Sequence, residues 1–253
     1  MFENSEYTET LKRVLGLDLP SPGKFPTLGP GDVHIWTVSV QGIKEQLHHL
    51  KSLLTEEETG KLSFYKFEHT QHSYIATQAV LRVLLSLYLD IKPREVQMGV
   101  RSKGKPFLIH ARSIFFNISN SDGQCVFAFS GDGEVGIDIE RIRQMPDIEQ
   151  LIQKNLTSRE KEYVLKDPEK KLKRFFRFWT FKESYLKAIG EGMRLTPDNL
   201  EFSVEKGKIR LRSVHYGFDG ADWQFKEFTR DGNCTGTLTF APRGLKIREM
   251  MPI

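Results

Sequence analysis

Cysteine is scarce in this sequence, and long apolar runs are missing. The two cysteines, Cys125 and Cys234, are too few for a disulfide framework or, by themselves, for a zinc site. No apolar run approaches the roughly 18 residues of a membrane helix, because Arg82 interrupts the best candidate, Ile75 to Leu89. The segment from Met1 to Leu15 is polar and acidic, unlike a secretory signal. We therefore expect a soluble, cytoplasmic protein that does not associate with membranes.

A strong charge of either sign is also missing. The 253 residues include 37 Lys and Arg against 33 Asp and Glu, which gives a net charge of +4. That excess is too small to indicate a nucleic-acid-binding protein, and the sequence contains no recognised nucleic-acid-binding module. It is compatible with a protein that meets phosphates or an acidic partner at one patch of its surface.

Hydrophobic periodicity predicts helices followed by strands in each half of the chain. A short helical pattern at 7–17 and a Pro- and Gly-rich connection at 20–31 come first. Apolar residues at helical spacing then predict longer helices at 70–88 and 171–189, and short apolar or alternating runs predict strands after each of them. This repeated order predicts an α+β protein of two similar lobes.

The boundary between the lobes is predicted at a glycine-rich turn, Gly131-Asp132-Gly133-Glu134. A turn of this composition typically connects two strands. We therefore assign residues 1–134 to an N-terminal lobe and residues 135–253 to a C-terminal lobe.

The predicted strand Val135 to Glu140 carries two carboxylates, Asp138 and Glu140, at positions that point to the same face of a sheet. Two neighbouring like charges destabilise a sheet unless a cation neutralises them. One interpretation is a solvated face paired with Arg141 or Arg143. The other is a hard divalent cation, since oxygen ligands without His or Cys suit Mg²⁺ or Mn²⁺ rather than zinc.

A predicted helix carries the second group of charged residues, in Trp179-Thr180-Phe181-Lys182-Glu183-Ser184-Tyr185-Leu186-Lys187. Glu183 and Lys187 stand four residues apart, which is typical of an ordinary helical ion pair worth about 0.3–0.5 kcal/mol. The functional interpretation makes Glu183 a third carboxylate for the cation. In that case Lys182 and Lys187 would donate to a phosphate.

Two loop segments could add phosphate contacts. In Arg101-Ser102-Lys103-Gly104-Lys105-Pro106-Phe107, a glycine beside lysines lets backbone amides and ammonium groups approach an anion together. In Phe116-Asn117-Ile118-Ser119-Asn120-Ser121, a strand ends in amide and hydroxyl groups that could bind phosphate or cap a helix. Each segment is equally compatible with a plain connecting loop.

Taken in order, these segments resemble the larger, Sfp-type class of 4′-phosphopantetheinyl transferases. The similarity rests on Gly104-Lys105-Pro106, Phe116-Asn117-Ile118-Ser119, Gly136-Ile137-Asp138-Ile139-Glu140 and Trp179-x-x-Lys182-Glu183-Ser184-x-x-Lys187. The resemblance implies two α+β lobes related by a pseudo-twofold axis, with coenzyme A in the cleft between them. The implied reaction moves phosphopantetheine from coenzyme A to a serine of an apo carrier protein and releases 3′,5′-ADP.

The resemblance also implies roles for individual residues. Mg²⁺, with Mn²⁺ as a substitute, would be held by Asp138, Glu140 and Glu183, and the catalytic residues would be Glu183 and Lys187. The residues expected to contact coenzyme A are Lys61, Lys103, Gly104, Lys105, Pro106, Asn117, Ser119, Asn120, Lys182 and Lys187.

One position departs from the family pattern. Relatives usually carry a histidine immediately after the Asn-x-Ser triplet, where this chain has Asn120. Charge-assisted hydrogen bonds are worth about 1.5–3 kcal/mol against roughly 1 kcal/mol for neutral ones, so we expect weaker recognition of the coenzyme's 3′-phosphate. A catalytically weak or inactive relative that binds coenzyme A is therefore an alternative.

The expected partner is an acidic acyl or peptidyl carrier protein, and the resemblance favours a monomeric enzyme. A basic cluster precedes the charged helix and could steer such a carrier by long-range attraction. Its members are Lys170, Lys171, Lys173, Arg174 and Arg177. A solvated helix face is the simpler interpretation of the same residues.

Overall fold

Two separate β-sheets dominate the structure, and a long helix packs against each of them. A computed structural model describes residues 25–111, 113–190, 195–214, 223–241 and 244–250. The helix expected at 7–17 lies outside the described residues. Mixed helix and strand in both halves confirms the predicted α+β class.

In the described part of the first half there are five strands and three helices, with short 3₁₀ turns between them. In chain order they are β1 (Asp32–Ser39), α1 (Leu47–Lys51), α2 (Glu56–Gly60), α3 (Glu68–Leu89), β2 (Met98–Val100), β3 (Pro106–Leu108), β4 (Phe115–Ser121) and β5 (Gln124–Ser130). Strands β4 and β5 form an antiparallel hairpin, and β5 pairs with β1. Helix α3 packs its apolar side, which includes Val80 and Leu84, into the same core as Phe127 and Phe129 of β5.

The second half repeats the pattern of strand, short helices, long helix and strands. Its elements are β6 (Val135–Arg141), α4 (Ile148–Asn155), α5 (Ser158–Leu165), α6 (Lys171–Ile189), β7 (Leu200–Glu205), β8 (Lys208–Val214), β9 (Gln224–Arg230), β10 (Cys234–Phe240) and β11 (Lys246–Glu249). Strands β6, β10 and β9 form an antiparallel sheet in that order. Strands β7 and β8 form a separate hairpin.

Residues from both halves share one core. Val33 and Val126 of the first sheet pack in the same cluster as Ile137 and Leu238 of the second. In addition, β11 leaves the second half and pairs in parallel with β1 as the edge strand of the first sheet. The lobe boundary at residues 134 and 135 stays a prediction. The shared core and the pairing of β11 with β1 join the two halves.

The seam between the halves runs along β4 and β6. These strands belong to different sheets, and side chains of β4 provide the bonds between them. Asn117 Oδ1 accepts a hydrogen bond from the Ile137 amide at 2.9 Å, and Ser121 Oγ accepts one from the Arg141 amide at 3.1 Å. Polar side chains at alternate positions of β4 therefore satisfy backbone donors of β6 that would otherwise be buried without partners.

Helix α6 lies unusually close to β6. A Cβ atom added to Gly136 would lie 2.0 Å from the Ser184 carbonyl oxygen and 2.4 Å from the Ala188 amide nitrogen. On the neighbouring strand β10, Thr239 Oγ1 lies 2.7 Å from Ser184 Oγ. The glycine thus permits direct backbone contact between β6 and α6, which brings the charged residues of the two elements together.

None of the helices in the described ranges is both long enough and apolar enough to cross a bilayer.

We expect Gly136→Ala to destabilise the fold, because backbone atoms of α6 occupy the position of the new methyl group. Overpacking of this kind costs about 1–3 kcal/mol, and occasionally more. Denaturant unfolding measures the loss. Gly60→Ala is the matched control, since nothing lies within 4 Å of its added Cβ and its φ of −58° is helical. Equal midpoints for the two variants would contradict the close approach of α6 to β6.

Candidate active site at the seam of the two halves

A cleft of about 1510 Å³ opens between the two halves. It is larger than the roughly 300–1,000 Å³ typical of pockets for drug-sized ligands, so it has room for a nucleotide coenzyme. Eight of the residues expected in the site line it: Lys61, Lys103, Gly104, Lys105, Pro106, Asn117, Glu183 and Lys187. The two halves both contribute to its walls, as the family resemblance implies.

A network of side-chain hydrogen bonds at the seam joins α6 to β6 and β4. Lys187 Nζ donates to Asp138 Oδ1 at 2.7 Å and to Ser119 Oγ at 2.9 Å. Ser119 Oγ in turn donates to the same Asp138 oxygen at 2.9 Å. Asp138 is only 4% exposed, and its other carboxylate oxygen, Oδ2, is buried with no hydrogen-bond partner among the residues that the structure describes.

Three carboxylates interact electrostatically at this point. Burial is the main cause that raises the pKa of Glu183, and the negative charge of Asp138 adds to it. Burial and the charge of Asp138 likewise raise the pKa of Glu140, against an opposing hydrogen bond from Ser121. The positive charge of Lys187 offsets part of both upward pKa shifts. The three carboxylates therefore lie close enough to act on one another's pKa, and the metal site of Asp138, Glu140 and Glu183 stays a prediction.

The chemistry of this cluster fits a hard divalent cation. Asp138 Oδ2 is a buried acceptor without a donor, and carboxylate oxygens are the ligands that Mg²⁺ and Mn²⁺ prefer. Across the described ranges, no three His, Cys, Asp or Glu side chains already stand at the spacing of a finished metal site. Lys187 provides the positive charge that faces Asp138.

Lys182 does not face the cleft, contrary to the expected phosphate contact. Its side chain is fully buried, and its ammonium group forms a 2.6 Å ion pair with Glu160 Oε2. It also donates to the backbone carbonyls of Asn155, Pro197 and Leu200. All of its hydrogen-bonding capacity is therefore used inside the second half, where it joins α6 to α4, α5 and the start of β7.

Lys105 lines the cleft, but its ammonium group is also occupied. Nζ donates to Glu134 Oε2 at 2.6 Å, to the Val135 carbonyl at 3.0 Å and to the Ala188 carbonyl at 2.7 Å. An ammonium group has three N–H donors. In this structure Lys105 therefore has no donor left for the phosphate that the resemblance assigned to it.

Ser119 and Asn120 point to opposite faces of β4. Ser119 is buried at the seam, where it bonds to Asp138 and Lys187, whereas Asn120 is exposed. Successive side chains of a strand alternate between faces. The two residues thus cannot contact one phosphate from the same side, and neither is among the residues that line the cleft.

Most of the basic cluster, which the structure places at the start of α6 and one residue before it, is already neutralised. Lys170 and Arg174 pair with Asp167, Lys171 pairs with Glu149, and Arg177 pairs with Glu227. Lys173 is exposed. The expected steering of an acidic carrier by this cluster is therefore weaker than its sequence suggests, and the solvated helix face describes most of it.

Two family models match the chain in succession. One, described as 4′-phosphopantetheinyl transferase, N-terminal, matches residues 39–131, and the other, described as 4′-phosphopantetheinyl transferase superfamily, matches residues 134–239. The chain is 30% identical over 233 residues to the 4′-phosphopantetheinyl transferase HetI of Nostoc sp., which covers 89% of this chain and 94% of the relative. The chain belongs to the 4′-phosphopantetheinyl transferase superfamily.

More distant members of the superfamily are also similar. The L-aminoadipate-semialdehyde dehydrogenase-phosphopantetheinyl transferase of Rattus norvegicus is 26% identical over 231 residues, 84% of this chain and 68% of the relative. A solved structure of the Thermotoga maritima holo-acyl-carrier-protein synthase AcpS covers 42% of this chain and 61% of its own at 24% identity, with a TM-score of 0.36. That structural likeness is too low to carry weight, and the family assignment rests on the sequence matches.

The sequence did not reveal the roles of two residues that bond to side chains expected in the site. Ser121 donates to Glu140 Oε2 at 2.9 Å and orients that carboxylate. Its position two residues after Ser119 on the same strand face was the available signal. Glu160, which neutralises Lys182, gave only the signal of a capping box at the start of α5, because its partner lies in another element.

We expect Lys182→Met to destabilise the transferase, because it leaves the fully buried Glu160 carboxylate without its cation. Breaking a buried ion pair by removing one partner costs about 3–5 kcal/mol. Denaturant unfolding measures the loss, and Lys173→Met, an exposed lysine of the same helix, is the control. If both variants unfolded at the same denaturant concentration, the assignment of Lys182 to the interior would be wrong.

We expect Glu183→Gln to stabilise the metal-free transferase in a pH-dependent way. Because the pKa of Glu183 is raised above 4.5, the protonated carboxyl favours the folded state, and this stability is lost as pH rises through the folded pKa. Glutamine does not titrate. The difference in Tm between variant and unmodified chain, measured in EDTA from about pH 4 to neutrality, should therefore grow in favour of the variant. A difference that stays constant with pH would contradict the raised pKa.

Proposed function

We propose that this transferase moves the 4′-phosphopantetheine group of coenzyme A to a serine hydroxyl of an apo carrier protein. The serine oxygen forms a bond to the phosphorus atom, the bond from that phosphorus to the bridging pyrophosphate oxygen breaks, and 3′,5′-ADP leaves. The observation that carries the proposal is the cluster of Asp138, Glu183 and Lys187 at a nucleotide-sized cleft between the two halves. The family of the chain and the names of its relatives support the same reaction.

Glu183 is the proposed general base. It lies on the wall of the cleft, and its raised pKa makes it a better proton acceptor than an ordinary carboxylate. It would accept the proton of the carrier serine as the serine oxygen attacks. Phosphoryl transfer requires mainly alignment of the reactants and neutralisation of charge. One correctly positioned base is therefore enough to take the serine proton.

Lys187 has two proposed tasks. Its ammonium group holds Asp138 through a 2.7 Å ion pair, and it faces the cleft where the phosphate charge would develop. Because it is about one-third exposed, it can still approach a ligand oxygen. A cation at this position stabilises the more highly charged reacting phosphate.

Asp138, Glu140 and Glu183 would hold the Mg²⁺ ion, or Mn²⁺ in its place. The bound cation would neutralise charge on the pyrophosphate oxygens of the coenzyme. Two of these ligands are already oriented by hydrogen bonds: Ser119 donates to Asp138, and Ser121 donates to Glu140. Such orientation of ligand side chains raises metal affinity.

The coenzyme would lie along the wall formed by Lys61, Lys103, Gly104, Pro106 and Asn117. Lys61 pairs with Glu57 at 2.8 Å, but both side chains are exposed, so this pair costs little to break. Gly104 has a φ of +93°, and nothing lies within 4 Å of a Cβ atom added there, so the turn has room for a close-lying anion, while the Gly104 amide donates to the Arg101 carbonyl at 2.9 Å. Lysines beside this open turn suit a pyrophosphate or a 3′-phosphate.

The acceptor is proposed to be an acyl or peptidyl carrier protein with an acidic surface. The exposed Lys154, on the rim of the cleft, and Lys173 are the cations best placed to attract it. We propose a monomeric enzyme, since both walls of the cleft come from a single chain.

We expect Glu183→Gln to reduce transfer by about 10²–10⁴-fold, the contribution typical of a general base. The chain is incubated with fluorescent coenzyme A, Mg²⁺ and a panel of apo carrier proteins, and covalent labelling of the carrier serine is measured. Glu45→Gln, the same change at an exposed carboxylate of the first half, should label at the unmodified rate. Unmodified turnover by a folded Glu183→Gln variant would remove the assigned role.

The same assay separates active transfer from the alternative of a weak or inactive relative. An unmodified chain that binds coenzyme A but labels none of the carriers would support the alternative, for which the neutral Asn120 is the sequence argument.

A further inference from the structure

The Lys105 side chain joins three segments that meet at the active site. The residue belongs to the loop before β3 in the first half, whereas its acceptors lie in the second half or at the junction. Glu134 and Val135 stand where β6 begins, and Ala188 lies in the last turn of α6. A single ammonium group therefore bridges the two halves.

These acceptors lie next to the proposed catalytic residues. Val135 precedes Asp138 by three residues on β6, and Ala188 directly follows Lys187 on α6. The Ala188 carbonyl is among the last carbonyls of the helix, which have no partner within it. A lysine at this end also interacts favourably with the helix dipole.

The alkyl part of the Lys105 side chain is also tightly packed. It is 7% exposed, and Gly190, which ends α6 at a φ of +68°, lies against its alkyl chain. A Cβ added to Gly190 would lie 3.3 Å from Lys105 Cδ. The end of α6 and the Lys105 side chain are thus in close van der Waals contact. A side chain that had to move toward a ligand would not need this contact.

We propose, on the basis of the proposed function, that Lys105 is a positioning residue that fixes the ends of α6 and β6 relative to each other. By doing so it holds Lys187 in contact with Asp138 and keeps residues 103–105, which line the cleft, attached to both elements. It acts through these residues and does not bind the phosphates of coenzyme A.

The test uses Lys105→Met in the full chain, with two readouts. The first is kcat and KM for coenzyme A in the carrier-labelling assay. A misplacement of about 1 Å in catalytic groups lowers the rate by about 10²-fold, so we expect kcat to fall by that order and KM to change less. The second is amide hydrogen exchange of residues 186–190 in the chain without coenzyme, which we expect to become faster because the end of α6 loses its anchor.

A phosphate-binding role predicts the opposite pattern. Loss of a contact that binds substrate and transition state equally raises KM with kcat unchanged, and exchange in the coenzyme-free chain would not change. That result, or no change in either readout, would overturn the proposal. Lys103→Met, a cleft-lining lysine of the same loop, is the comparison in which a rise in KM is expected.

Arg101→Met is the matched control. Arg101 pairs with the other oxygen of Glu134 at 2.7 Å, but it does not line the cleft between the halves. It should leave kcat and exchange at residues 186–190 near those of the unmodified chain.

A gentler variant keeps the proposal testable if Lys105→Met does not fold. Glu134→Ala leaves the lysine in place but removes its charged acceptor, and it should shift kcat and exchange in the same directions by smaller factors; unchanged values would overturn the proposal. If the unmodified chain labels no carrier, the proposed function fails, whereas the exchange measurement still reports on the role of Lys105.

Discussion

The ion pair between Lys187 and Asp138 is the contact on which the site depends. It joins the long helix of the second half to the strand at the seam, and Ser119 of the first half completes it. Without a cation at this point, three partly or fully buried carboxylates would repel one another. The contact explains why β4 carries small polar residues toward β6, and why α6 must approach β6 as closely as Gly136 permits.

The lysines around the site differ sharply in what their charge does. Lys182 and Lys105 direct their ammonium groups at carbonyls and one carboxylate each, and both are nearly inaccessible. Burial lowers the pKa of each, and the acidic partner opposes that shift. Among Lys105, Lys182 and Lys187, it is Lys187 that combines an acidic partner with substantial exposure at the cleft. Two cations thus build the framework, and the third remains accessible to a ligand.

Local patterns predicted the components of the site well. The alternation along β6 predicted Asp138 and Glu140 on one face, and the four-residue spacing predicted Glu183 and Lys187 on one side of α6, where the ion pair of Lys187 is formed with Asp138. That these residues meet at one metal site was expected from the order of motifs that the family shares, and it stays a prediction; the charges of Asp138, Glu140 and Lys187 act on the pKa of Glu183. The direction of Lys182 could not be predicted in this way, because its partner Glu160 is a long-range neighbour that periodicity does not reveal.

The strand β11 has a consequence for how the molecule is made. Residues 246–249 cover one edge of the sheet that residues 32–39 begin, so more than two hundred residues separate the two partners in the chain. During synthesis the ribosome releases the first half long before that edge can be covered. An uncovered strand edge is a template for intermolecular pairing. The nascent chain therefore passes through a period in which this edge of β1 is open to intermolecular pairing.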